Sequence, residues 1–443
     1  MKYLLPILLA ACMAQACSPS RSIHSSAAKA FTQPGLTSAQ VGICLYDPAR
    51  AAYLLEQQAD KYFIPASNTK LFSLYAGLKH LGDSLTGLRY RETDTALFLV
   101  PTGDPTFLHP SYSRQPVMDF LKTTGKSLWL TDANWDENAL GYGWAWDDYN
   151  DDYMPERSAL PVFGNVIRWV EDSASSSFYS IPDIDWQVRF SPDSAKKGFH
   201  VERDLHKNAF EITEGQHTHK TQDVPFITEG IASAAVLLKD TVGRTVFTRH
   251  QLPAPDRRSV VAAAGAHDPF LHVIHSRPVD SMFQPMMYHS DNFFAEQTLL
   301  MVSNEMLGRM NDEDIIDTLL KTDLKGLPQR PYWVDGSGLS RNDLFTPRDF
   351  IWLLNKMKDE FGLARLKGIL PTGGKGTLSN YYKKDSGFIF AKTGSLSGVV
   401  ALSGFLITKK DRLLLFSILI NNNSDPAVRR KMESFLEGIR EKY

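Results

Sequence analysis

Cysteine is nearly absent, with three residues in 443, at Cys12, Cys17 and Cys44. A single internal cysteine provides no disulfide framework, and Cys44, inside the apolar run VGICLY, reads as a small buried hydrophobe. An excess of charge of either sign is also missing. Lys plus Arg number 48 and Asp plus Glu 50, for a net charge of −2. There is therefore no electrostatic case for a nucleic-acid partner. No Gly-x-Ser-x-Gly occurs, because GSLSG has its serines at other offsets, so the nucleophile elbow of an α/β-hydrolase is excluded. Lys375-Gly376-Thr377 lacks the glycine spacing of a P-loop. His217-Thr218-His219 stands in a polar stretch with no third ligand nearby, so it reads as a solvated loop, and neither a metal nor a cofactor is expected.

What is present is ordinary soluble composition, 43% hydrophobic and 22% charged, which is enough apolar material for a large core. The length suits two or three domains, or one domain carrying an insertion. The opening MKYLLPILLAACMAQACSPS has a charged end at Lys2, an apolar stretch and then small residues. It is too short to span a membrane and reads as a secretory signal over residues 1–17. Cysteine after small residues suggests lipidation, with Cys17 favoured and Cys12 the alternative. That predicts an exported, periplasmic protein anchored to a membrane by lipid. Residues 18–36, rich in Ser and Ala, read as a tether.

Strands are predicted at 41–46 and 52–55 around Asp47-Pro48, and a helix over 70–81. Residues 89–267 alternate short apolar runs with Gly, Pro, Asp and Ser clusters, a β-rich texture without a fixed repeat. Helical patterns return at 292–306 and 347–361. Three strands follow at 388–392, 399–407 and 412–420. A last amphipathic helix shares Val428, Met432, Phe435, Leu436 and Ile439 on one face, with Asp425 as its expected cap. Strands at both ends with helices between predict one α/β domain, 37–88 plus 268–443, interrupted by a β-rich insertion at 89–267.

Ser-x-x-Lys occurs three times, as Ser26/Lys29, Ser67/Lys70 and Ser194/Lys197. Only Ser67, in FIPASNTK, follows a proline and opens an amphipathic helix. There, positions i and i+3 share a face, and free N–H groups face a developing oxyanion. A lysine base must be neutral, which burial and a second cation favour. Lys392, in the single Lys-Thr-Gly at the end of FIFAKTG, is the candidate for that cation. Gly394 is expected to let a substrate backbone come close. Ser290-Asp291-Asn292 directly precedes the helical run FFAEQTLLM and supplies a hydroxyl and an amide two residues apart.

In this order the three motifs resemble those of the penicillin-binding protein and serine β-lactamase superfamily. The chain is most similar to the D-alanyl-D-alanine carboxypeptidase/endopeptidase family related to penicillin-binding protein 4 (low-molecular-mass class C, peptidase family S13). TGDPTF, GWAWDDYNDDY, HSDNFFAE, DGSGLSRND, LPTGGKGTLSN and AKTGSLSGVVALSGF all look like blocks of that family, spread over residues 63–405. The 223 positions between Ser67 and Ser290 fit its large insertion and not a simple β-lactamase.

The resemblance implies a β-lactamase/transpeptidase-like fold, an antiparallel sheet flanked by helices. It implies Ser67 as nucleophile, Lys70 as general base, Ser290 as proton relay to the leaving amine and Asn292 as binder of the peptide amide. Lys392 would support that network, while Thr393 and Ser395 bind the substrate carboxylate. The N–H groups of Ser67 and Ser395 would form the oxyanion hole. Arg341 and the Trp146-Asp147-Asp148 cluster would read a zwitterionic stem-peptide side chain. Peptidoglycan peptides are the implied substrates and β-lactams the implied inhibitors. Phe405, where the family often has tyrosine, and the missing arginine in SNYYKKD touch fine specificity only. A catalytically idle cell-wall binding protein is the alternative, and it would have no need of all five motif residues.

Overall fold

The computed structural model describes residues 18–33, 35–172, 177–192, 199–214, 221–248, 251 and 271–443. The expected signal with Cys12 and Cys17, the Ser194/Lys197 pair and His217-Thr218-His219 lie outside the described residues. Among the described residues no helix is long and apolar enough to cross a membrane. Nor does any group of three or more His, Cys, Asp or Glu side chains among them stand ready to hold a metal ion.

The chain forms two compact units. One comprises Met1–Tyr75, Gln284–Ser290 and Leu320–Tyr443; the other comprises Ala76–Phe283 and Asp291–Leu319. The first is built on a five-stranded sheet in the order Ile389–Leu396, Val399–Ile407, Leu413–Asn421, Gln40–Asp47, Ala52–Gln57. Every pairing in it is antiparallel. Val399–Ile407 and Leu413–Asn421 are nearly continuous apolar runs, buried almost throughout, as strands covered on both faces must be. One covering layer is the C-terminal helix Val428–Lys442. Its Val428, Met432, Phe435, Leu436 and Ile439 are buried in one cluster with Leu402, Leu406, Phe416 and Ile418 of the sheet. Each such side chain contributes about 1.5–3 kcal/mol on burial. On the other side Phe72, Trp333, Phe345 and Phe350 stack in an aromatic cluster with centroids 4.6 to 6.4 Å apart.

Two expectations change here. Residues 18–36 are more than a tether. They hold the helix Ser18–Phe31, whose Ile23, Ala27 and Phe31 are buried in the sheet unit's core, with Phe31 edge-on to Phe435 at 5.4 Å. Three apolar residues at four-residue spacing outweigh a polar average composition. Asp425 does not cap the last helix. Its carboxylate accepts from Ala427 N at 2.8 Å and pairs with Lys431 at 2.5 Å, and the helix begins after Ala427.

The second unit contains a five-stranded sheet, Val246–Thr248, Ser127–Leu130, Ala96–Pro101, Ser84–Glu92 and His272–Pro278, with two parallel pairings. Two three-stranded sheets and the helices Pro116–Thr123 and Ala232–Val242 complete its own hydrophobic cluster. Its boundaries differ from the 89–267 read off composition. It begins at Ala76, inside the helix Lys70–His80, and takes in the helix Asn292–Leu307.

Candidate active site

FIPASNTK is held at both ends. Phe63 exchanges backbone hydrogen bonds with Phe345 at 2.9 and 3.0 Å. The Asn421 side chain, at the end of a central strand, accepts from Ile64 N at 2.8 Å and donates to Ile64 O at 3.0 Å. Between these anchors Ala66 adopts a left-handed backbone (φ 48°), and Ala66–Thr69 form a 3-10 turn. Such a backbone costs a non-glycine residue of order 1 kcal/mol, and it persists because its surroundings fix it. Ser67 therefore sits on the turn that feeds the helix, and Lys70 is the first helical residue.

Two glycines make that turn possible. A Cβ on Gly338 (φ 78°) would lie 2.0 Å from Ala66 O, and one on Gly394 would lie 2.5 Å from Pro65 O. The glycine of Lys-Thr-Gly thus makes room for the backbone of the Ser67 turn. Asn68, buried beside Ser67, donates to Ser403 Oγ at 2.8 Å, and Ser403 donates to Ser417 Oγ at 2.9 Å, which pins the turn to the sheet.

Lys70 Nζ donates to Ser67 Oγ at 2.9 Å and to the carbonyl of Ser337 at 2.8 Å. Lys70 is fully buried, whereas Ser67 stays partly open. Lys392 is fully buried too, and its Nζ donates to Ser290 Oγ at 2.8 Å and to Thr393 O at 2.7 Å. Burial, and then the charge of Lys70, hold the Lys392 ammonium well below the usual lysine range. Ser290 takes a left-handed backbone (φ 61°) where the helix Asp280–His289 ends. Two serine hydroxyls, each hydrogen-bonded to a buried lysine, thus occupy one unit. A lysine relieved of its proton can take one from a hydroxyl, and a neighbouring hydroxyl–lysine pair can pass it on.

Ser337 was not identified from sequence. It lies in DGSGLSRND, a loop that braces itself. Buried Asp335 accepts from Gly338 N at 2.6 Å and Ser340 N at 2.7 Å, and Gly336 O accepts from Ser73 Oγ at 2.5 Å. The signal was available, since an Asp followed by Gly and Ser is turn chemistry.

The remaining candidates fall elsewhere. Thr393, Gly394 and Ser395 follow Lys392 on the edge strand Ile389–Leu396, and Ser395 is exposed. Arg341 is exposed and donates to Ser397 O at 2.8 Å. Asn292 belongs to the second unit, at the start of the helix that Asp291 caps through Phe294 N at 2.9 Å. Its amide donates to Tyr153 O at 2.9 Å. Trp146, Asp147 and Asp148 form a short 3-10 turn in that same unit, with Trp146 72% exposed. Ser26 and Lys29 lie on the helix Ser18–Phe31, with Lys29 exposed. Cys44 is buried and free, and burial pushes its thiol far above the ordinary range, in keeping with an inert hydrophobe.

The chain is similar to a D-alanyl-D-alanine carboxypeptidase of Actinomadura sp. (strain R39), 25% identical over 453 residues covering 89% of this chain and 80% of that one. Its fold matches penicillin binding protein 4 (dacB) from Haemophilus influenzae with a TM-score of 0.70 at 18% identity, over 94% of this chain and 98% of that one. A complex of that protein with a novel β-lactam matches at 0.67 and 17% identity, over 95% and 98%. Bd3459, a predatory peptidoglycan endopeptidase from Bdellovibrio bacteriovorus, matches at 0.53 and 14%, over 91% and 93%. The sequence pattern of the D-Ala-D-Ala carboxypeptidase 3 (S13) family covers residues 23–238 and 255–443, and the chain belongs to that family.

Proposed function

We propose that Ser67 is the acyl-accepting nucleophile of a serine-type D-Ala-D-Ala carboxypeptidase and endopeptidase acting on peptidoglycan stem peptides and crosslinks. The carboxypeptidase activity follows from membership of the family. The observation that carries the assignment of residues is the pair of buried lysines, 2.9 Å from Ser67 Oγ and 2.8 Å from Ser290 Oγ, with burial holding Lys392 well below the usual lysine range.

In this reading Ser67 Oγ attacks the carbonyl of the penultimate D-alanine and its proton passes to Lys70. The N–H groups of Ser67 and Ser395 hold the oxyanion. Ser290, supported by Lys392, delivers a proton to the departing amine, and Asn292 holds the peptide amide. Thr393 and Ser395 take the terminal carboxylate, and water then releases the acyl group by the same base. β-Lactams acylate Ser67 and inhibit. Arg341 and the Trp146-Asp147-Asp148 turn read the zwitterionic end of a diaminopimelate side chain. Export to the periplasm, with lipid on Cys17 or else Cys12, completes the proposal. Incorporation of labelled palmitate that survives Cys17→Ala and Cys12→Ala would remove that part.

The test combines labelled penicillin with a diaminopimelate-containing pentapeptide, beside Ser67→Ala. Stable labelling and D-alanine release are expected, both lost in the variant. Rapid penicillin turnover would indicate a β-lactamase, and no reaction a binding protein. Arg341→Ala is expected to slow hydrolysis of the diaminopimelate peptide more than that of a simple acyl-D-Ala-D-Ala. Equal slowing of both would remove Arg341 from recognition.

A further inference from the structure

The loop 335–340 meets the nucleophile's segment of chain at three consecutive residues. Gly336 O accepts from Ser73 Oγ at 2.5 Å, and Ser337 O accepts from Lys70 Nζ at 2.8 Å. Gly338 lies so close to Ala66 that a Cβ there would come 2.0 Å from Ala66 O. Lys70 and Ser73 stand one turn apart on the helix Lys70–His80, and Ala66 opens the 3-10 turn that carries Ser67. One short loop therefore touches the turn, the base and the helix behind it. A single side chain clasps that loop. Asp335 is fully buried, and its two carboxylate oxygens accept from Gly338 N at 2.6 Å and from Ser340 N at 2.7 Å, on either side of the residues that make these contacts. Hydrogen bonds from backbone N–H groups to a buried carboxylate are among the stronger ones. Asp335 O in turn accepts from Trp333 Nε1 at 2.7 Å, and the Trp333 ring lies 5.5 Å from that of Phe72, again on the helix of Lys70. Ser337 serves Lys70 through a backbone carbonyl, so the conformation of the loop decides where that acceptor stands.

We infer that Asp335 is a positioning residue of the acyl-transfer site: by clasping the loop 335–340 it holds Ser337 O against Lys70 Nζ and Gly338 against the Ser67 turn. The inference rests on the acyl-transfer reading of Ser67 and extends it to a residue that touches neither substrate nor the reacting atoms. An amine at the end of a flexible aliphatic stem has little aim of its own. A fixed carbonyl 2.8 Å away holds the Lys70 nitrogen in place, 2.9 Å from Ser67 Oγ. Proton transfer depends on that aim, since a misplacement of about 1 Å can cost about a hundredfold in rate. An amide at position 335 has one acceptor oxygen and turns an NH2 group toward the other backbone N–H. The loop then loses one of its two clasps, and Ser337 O loses its fixed place.

The experiment follows acylation by a labelled penicillin over time in wild type, Asp335→Asn, Ser73→Ala and Thr346→Ala, after their folds are checked by circular dichroism. Ser73→Ala removes the bond to Gly336 O and leaves Asp335 in place. Thr346→Ala removes the side-chain cap of the helix Pro347–Phe361, which weakens the fold outside the loop. Two quantities are read, the fraction of chains finally labelled and the rate constant per labelled chain. Asp335→Asn is expected to reach the wild-type fraction at a rate about tenfold to a hundredfold lower. Its kcat on a D-Ala-D-Ala peptide should fall with the acylation rate while KM stays near wild type. Ser73→Ala should be slowed less, and Thr346→Ala not at all. A smaller labelled fraction with an unchanged rate per labelled chain would make Asp335 a structural residue only and overturn the inference. A wild-type rate in Asp335→Asn, or equal slowing in Thr346→Ala, would overturn it too, leaving Ser67 as nucleophile. If Asp335→Asn does not fold, Ser73→Ala decides, a slower rate supporting the inference and a wild-type rate overturning it. A folded wild type that takes no penicillin label and releases no D-alanine would overturn the underlying reading, and the inference with it.

Discussion

Each unit buries a cation, and the two treat it in opposite ways. In the second unit Arg157, 1% exposed, lies among Asp312 at 2.5 Å, Glu137 at 3.2 Å and Glu296 at 3.4 Å. Burial works against its charge, but the three acids outweigh it and hold the guanidinium above its usual range. In the sheet unit the hydrogen bonds of Lys70 and Lys392 described above go to hydroxyl and carbonyl oxygens, and Lys392 is held well below its usual range. The first arrangement fastens structure together. The second leaves an amine buried without a carboxylate partner in these hydrogen bonds, the environment that the proposed proton transfer requires.

The sharpest way to break that contrast is Lys392→Met. Loss of kcat/KM by about a thousandfold or more is expected, since residues acting as a unit in acyl transfer fail together. Stability should hold or rise. Between the lowered native pKa and the ordinary 10.5 the unfolded chain binds more protons, so Lys392 makes stability climb with pH in that window. Removing the amine removes both the slope and the neutral-pH cost. Urea unfolding at several pH values reads this, and a variant less stable than wild type near pH 7 would show Lys392 to be a structural cation after all.

Arg157→Met is the converse. Three acids would remain without their cation, at a cost of about 3–5 kcal/mol. A measured loss under about 1 kcal/mol would mean the cluster gains little from the guanidinium. Because Arg157 touches none of the proposed catalytic residues, acylation of the protein that stays folded should proceed at a rate close to wild type.

Legibility from sequence followed the same division. The strands 399–407 and 412–420 and the helix 347–361 were readable because one strong apolar pattern dominates each, and the structure has Val399–Ile407, Leu413–Asn421 and Pro347–Phe361. Ser67, Lys70, Ser290 and Lys392 were singled out because motifs of short spacing carry them, and the structure joins Lys70 to Ser67 and Lys392 to Ser290 by hydrogen bonds. The acceptor of Lys70 was not, because Ser337 contributes a backbone carbonyl, which any residue possesses, from 267 positions away. The close approach of Pro65 O to Gly394 was not legible either, because it is a tertiary fact. The Ser18–Phe31 helix was hidden by its polar composition. The Arg157 cluster joins positions 137, 157, 296 and 312, and no local pattern announces such a set.

The smallest expected effect concerns Glu137, and it tests whether the acids around Arg157 form one electrostatic unit. Burial, with Asp312 beside it, pushes the Glu137 carboxyl up to about 7 despite the attraction of Arg157. An unfolded glutamate titrates near 4.5. Between those values the native chain binds more protons than the unfolded one, so this group lowers stability as pH rises from about 4.5 to about 7. Glu137→Gln keeps the size and a carbonyl acceptor for Asp312 N, which Glu137 now meets at 2.9 Å, and removes the titration. The variant should therefore gain on wild type progressively across that window, by up to about 3 kcal/mol at its top. Parallel stability curves for the two would show that Arg157 already keeps Glu137 charged. The cluster would then be a full set of ion pairs at every pH in the window, and the contrast with the lysine site would rest on Lys392 alone.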